Sequence, residues 1–164
     1  MMHNLANIST WKKLIYALGF TPPSDNFAKA DYKEYLATLN EVPSGTQGID
    51  PNSFFPWLKE TGRINNWQYI TLVPGLVVET IHTAMVGWDG ALLVLSLTQR
   101  AYNEGLSAEP WTLESGEVPN PSLGHAIASV VYGPNDFGIV TWGMMKSMSD
   151  EFCEACVYGC YVFN

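Results

Sequence analysis

Residues 122–143 read SLGHAIASVVYGPNDFGIVTWG. The apolar run His125 to Tyr132 lies between Gly124 and the Gly-Pro-Asn-Asp sequence at 133–136, which marks a strand followed by a hairpin turn. A second apolar run, Phe137 to Trp142, follows at once, so the stretch predicts two antiparallel strands. His125 opens the first of them. An imidazole in a buried apolar strand needs a hydrogen-bond partner or must give up its charge. His125 is therefore either a satisfied core side chain or a functional group.

Beyond the hairpin, Met144-Met145-Lys146 and Ser147-Met148-Ser149 lead into a helix-like Asp150 to Val157 and a strand-like Tyr158 to Phe163. Gly-His-Ala, an apolar strand ending Val-Val-Tyr-Gly, a short turn and an apolar strand ending Trp142-Gly143 resemble the C-terminal hairpin of papain-like cysteine peptidases. The whole order resembles the ending of a subgroup of small papain-like proteins met in phage and bacterial genomes. That resemblance implies an α+β, papain-like fold with N-terminal helices packed against a C-terminal antiparallel β-sheet. It implies one domain over residues 1–164, helical to about residue 66 and sheet from about residue 67.

The same resemblance puts His125 where the peptidases hold their general base, and the Trp-Gly pair after the residue that orients it. An Asn commonly stands two places before that Trp; here the position is Val140, and Thr141 offers the polar atom nearby. The nucleophile of the family opens a long N-terminal helix. The corresponding helix here, Asn4 to Leu18, contains no Cys, and the chain begins where the nucleophile is expected. No Gln precedes a Cys to supply an oxyanion donor, and Gln47 lies in a later loop. The implied reading is not an enzyme but a domain in which His125 is vestigial and Thr141 takes the orienting place. Such a domain serves as a structural or binding subunit, in the cytoplasm of the producing cell or in a phage virion, as a capsid decoration or tail-associated protein. The alternative is a working hydrolase that uses His125 with an unrecognised or partner-supplied nucleophile. A third reading is an inhibitor or ligand-binding module using the vestigial cleft.

Composition bounds these readings. The chain has 164 residues, 47% of them hydrophobic, which is enough for one core. Charged residues make up 15%, against roughly 25% in an average soluble protein. A surface so weakly charged is expected to be covered in part by protein subunits of a larger assembly. The formal charge of −8 argues against a nucleic-acid partner, because phosphate binding needs Lys and Arg to displace counterions. No apolar run approaches the ~20 residues of a membrane span, and the start, MMHNLANISTWKK, lacks the charged-then-apolar order of a secretion signal.

From the N-terminus, Leu5, Ile8, Trp11, Leu14, Ile15 and Leu18 recur at helical spacing. Ser24 and Asp25 can cap a second helix with Phe27, Tyr32, Tyr35, Leu36 and Leu39 as apolar positions. Asn40 to Gly48 reads as loop. A third helix is expected from a Ser53 cap to Thr61, because Pro56 is harmless only in a first turn. Gln68 to Val73 suggests a strand, and Gly75 to Val86 a helix with Leu76, Val77, Ile81 and Met85 inward. The continuous run ALLVLSL, Ala91 to Leu97, predicts a central strand. Thr98 to Leu123, with Pro110, Trp111, Gly116, Pro119 and Pro121, reads as a long irregular segment.

Other chemistry finds less in the sequence. Cys153, Cys156 and Cys160 share one face if a helix runs through all three, but a structural zinc needs a fourth ligand, and small buried residues are the simpler reading. No cofactor or metal is expected. Glu79 and His82 have the spacing of carboxylate-bridged metal sites, which require a second copy. Glu114 and Glu117 could flank a cleft as acid and base, with nothing to fix their separation. Ser122 and His125 leave the same short segment, which disfavours a serine nucleophile.

Overall fold

A computed structural model of the chain describes residues 33–39, 50–105, 107, 109–141 and 144–164. The helix expected over Asn4 to Leu18, the start of the second helix and the loop Asn40 to Gly48 lie outside the described residues, as do Trp142 and Gly143. The chain divides into two compact units between Asn65 and Asn66.

The first unit holds helix α1 (residues 33–38) and helix α2 (Pro51–Glu60). Tyr35 and Leu36 are buried, whereas Leu39 follows the helix and is exposed. The Tyr35 ring lies 5.0 Å from Phe54 and 5.4 Å from Trp57. Arg63 spreads over Trp57 at 4.3 Å and pairs with Glu34 at 2.8 Å. Helix α2 begins earlier than the Ser53 cap expected for it. Asp50 is the cap, its carboxylate accepting from Asn52 N at 3.0 Å, and Pro51 takes the first helical position, where its missing N–H costs nothing. Pro56 therefore stands inside the helix. An interior proline costs about 3 kcal/mol, which the aromatic packing of Phe54 and Trp57 against Tyr35 offsets.

In the second unit, strands β1 (Trp67–Ile70), β2 (Gly90–Ser96), β3 (Gly124–Tyr132), β4 (Asp136–Thr141), β5 (Met144–Ser149) and β6 (Val157–Phe163) form one sheet. Their spatial order is β1-β6-β2-β3-β4-β5 and every pairing is antiparallel. The chain is thus α+β with an antiparallel sheet and a few helices. The apolar run of β2 lies between β6 and β3, and its Leu93 and Leu95 are fully buried. Alternation along the strands brings Leu93, Ile127, Ile139, Met148 and Cys160 into one core with Ile81 of helix α3 (Val77–Met85) and Phe152 of helix α5 (Asp150–Cys156). Gly159 lets β6 approach Val94 closely: a Cβ there would stand 3.2 Å from the Val94 Cβ, tighter than ordinary van der Waals contact.

Three local expectations change. Strand β1 ends at Ile70, since a turn closed by Leu76 N donating to Val73 O takes the chain away from the sheet. Leu76 then precedes α3 and is exposed, while Val77, Ile81 and Met85 face the core. The Thr98 to Leu123 segment, expected to be irregular throughout, contains helix α4 (Gln99–Glu104), capped by Thr98 Oγ1 accepting from Ala101 N at 3.2 Å. Helix α3 has no side-chain cap of its own; Glu154 of α5 accepts from Val78 N at 3.1 Å and fills that place. Among the described residues no helix is long and apolar enough to cross a membrane.

Because Leu93 is fully buried at the centre of the sheet, Leu93→Ala is expected to lower unfolding free energy by about 2–5 kcal/mol. Val118→Ala, at an exposed site, is expected to change it by less than about 0.5 kcal/mol. Urea denaturation of the two variants measures both.

Candidate functional site around His125

His125 enters β3 directly opposite Leu95 of β2. Thr141 closes β4, the next strand, and the hairpin register brings the two side chains to the same face. His125 Nε2 and Thr141 Oγ1 are 2.7 Å apart. In one tautomer the hydroxyl donates to Nε2, and in the other Nε2–H donates to the hydroxyl oxygen. Thr141 is buried and His125 half-buried. Burial pulls the His125 pKa below its ordinary value, so the imidazole is neutral at pH 7.

Trp111 forms the side wall. Its ring is fully buried, stands edge-on to His125 with centroids 6.3 Å apart, and stacks on Phe152 at 5.6 Å. Its backbone is laced to β5: Trp111 N donates to Ser147 O and Ser149 N donates to Trp111 O, each at 2.9 Å. Lys146 of β5 lies against the same ring, with Nζ 5.0 Å from the centroid, a cation–π contact. Lys146 is 5% exposed, and its Nζ has no hydrogen-bond partner among the described residues. Desolvation lowers its pKa, against the pull of Glu104 and Glu109.

The loop that carries Trp111 is held by Arg100 of α4. Its guanidinium pairs with Glu104 at 2.8 Å, Glu117 at 3.0 Å and Glu114 at 3.5 Å, and also donates to Thr112 O. The Arg100 hydrogen bond holds Glu117 below the usual carboxylate range. Glu114 and Glu117 are thus two anchors of one arginine, which removes the acid–base pair considered for them.

The cysteines are placed in the core. Cys153 and Cys156 lie on α5 and Cys160 in β6, and all three are free and buried. A single helix through all three does not form, because the chain turns into β6 at Val157. Burial pushes the Cys156 and Cys160 thiols up to about 12 and Cys153 further in the same direction. Among the described residues no group of three or more His, Cys, Asp or Glu side chains is arranged to hold a metal ion.

Sequence reasoning brought His125 and Thr141 forward and missed Trp111, Lys146 and Arg100. Period-two alternation places Lys146 on the same face as Met144 and Met148, and Arg100 and Glu104 have the i,i+4 spacing of a helical ion pair; both signals were present. No family profile, curated protein or solved structure matches the chain.

The His125 environment gives a titration with a fixed sign. Its folded pKa lies below the unfolded value of about 6.5, so the unfolded chain binds the proton more readily in that window. The stability it contributes is present above about pH 6.5 and is lost as pH falls through the folded midpoint. NMR titration is expected to place that midpoint below 6.5, and His125→Gln is expected to remove this part of the stability slope between about pH 7 and 5.

Proposed function

We propose that the chain is a catalytically inactive papain-like domain that serves as a structural or binding subunit of a larger protein assembly, as a capsid-decoration or tail-associated component of a phage particle does. The observation that carries this reading is the state of the thiols. A cysteine nucleophile attacks as thiolate and is found in exposed electropositive surroundings. Cys153, Cys156 and Cys160 are buried, and desolvation raises every one of them. The side chains beside His125 include a threonine hydroxyl and a tryptophan ring, neither of which is a thiol. The low charged fraction of the chain favours work against protein neighbours, in the producing cell or in the particle.

A second reading draws on the hydrogen bond itself. At 2.7 Å from Thr141, His125 is neutral and oriented, as a general base must be. A hydrolase that receives its nucleophile from a partner chain would need that arrangement.

Thiol titration checks the burial, and active-site labelling separates the two readings. The native chain is expected to react with an aromatic disulfide reagent at well below one thiol per molecule, and the denatured chain at all three. Stoichiometric labelling of the native protein or its assembly by an epoxide active-site probe, abolished by His125→Ala, would overturn the inactive reading.

A further inference from the structure

Helix α3 separates two hollows in the unit that begins at Asn66. On one side an open hollow of about 500 Å3 is lined by Leu76, Glu79 and His82, and by Asp150, Glu151 and Glu154 of α5. On the other, a groove of about 440 Å3 runs past Ile70, Leu76, Thr80, Thr83 and Ala84. Leu76 and Glu79 belong to both walls, so the two form one continuous surface. Its two halves differ in chemistry. The hollow carries four carboxylates beside His82, and among the described residues neither cavity is lined by a Lys or Arg. The groove is largely apolar, and Leu76 and Val73 beside it are 47% and 46% exposed.

The surface is also held rigid. Glu154 is fixed by the hydrogen bond from Val78 N. The His82 ring stacks on Tyr132 at 4.5 Å and meets Phe137 at a tilt, 4.7 Å away. At the floor, His82 Nε2 and Asp150 Oδ1 are sealed from water with no hydrogen-bond partner among the described residues. Buried polar atoms left this way are uncommon in folded proteins, and here two of them underlie the acidic hollow.

We infer that this face of α3 is a docking site for a segment of a partner protein that carries a Lys or Arg beside a large apolar residue, the cation entering the hollow and the apolar side chain lying in the groove. Charge complementarity selects the occupant: four carboxylates faced by His82 but, among the described residues, by no lining Lys or Arg favour a positive group and repel an acidic one. The adjoining apolar groove is what a macromolecular segment can use and a small cation cannot. The inference holds whether or not His125 retains any chemistry, because the docking face is built from α3, α5 and the end of β1.

The test is an NMR titration of the whole chain with a short peptide of alternating Leu and Arg. Three controls accompany it: its Glu-for-Arg analogue, a peptide of alternating Ser and Arg, and spermidine. The Leu/Arg peptide is expected to shift amide signals of α3 and α5, and to bind more weakly as salt is raised. Glu79→Gln and Glu151→Gln, both at exposed positions, are expected to weaken it about threefold each. Leu76→Ser is expected to weaken it at constant charge. No localised shift, an equal response to the Glu analogue, or equal binding of spermidine or the Ser/Arg peptide would overturn the assignment.

Discussion

The insertion of one indole ring organises the second unit. Trp111 comes from a segment with no regular structure of its own, yet its side chain is fully buried between the sheet and α5. Burying a tryptophan removes roughly 150–250 Å2 from water, worth roughly 4–6 kcal/mol at ~25 cal/mol per Å2. That gain offsets the entropy of ordering a segment punctuated by Pro110, Pro119 and Pro121. The two backbone hydrogen bonds to β5 also occupy part of an outer strand whose polar groups would otherwise invite pairing with another chain. Arg100 adds a second fastening by gathering Glu104, Glu114 and Glu117 around one guanidinium. Trp111 therefore acts at once as core and as the wall of the His125 site through its ring, and as edge cover through its backbone.

How legible this was depends on which force set each element. The central strand β2 and the β3–β4 hairpin could be read because continuous apolar runs between turn residues leave a chain few alternatives. In the sequence only the papain-like resemblance puts Thr141 near His125, and the hairpin register of the structure is what brings the two side chains together. The start of α2 was misplaced because Ser53 and Asp50 are both competent caps, and the choice fell to the one that also sets Pro51 at the first helical position. Helix α4 spans only Gln99–Glu104, too short for a periodic signal. For Arg100 the i,i+4 pair with Glu104 could be read, but not its reach to Glu117 in a loop more than a dozen residues away, which no local rule links to it. Lys146 is the instructive miss: alternation pointed inward, whereas charge argues for the surface, and tertiary packing decided for alternation.

Burial imposes the same bias on the thiols, one imidazole and one amine of this unit. Burial raises the thiols of Cys153, Cys156 and Cys160, lowers the imidazole of His125 and lowers the amine of Lys146. In each case the shift is toward the neutral form, as transfer from water to an apolar interior requires. A cysteine–histidine catalytic pair needs the opposite, a thiolate beside an imidazolium, each stabilising the other's charge. A thiol carried to His125 by another chain would therefore meet an imidazole already biased against accepting a proton. It would have to bring surroundings that stabilise charge, because Thr141 provides a hydroxyl and Trp111 a ring, and neither replaces a carboxylate. The fixed charges of this unit are concentrated elsewhere, in the Arg100 cluster and on the acidic face of α3. Packing helps to hold the histidine through its short hydrogen bond to Thr141, and the same burial shifts the ring toward its neutral form.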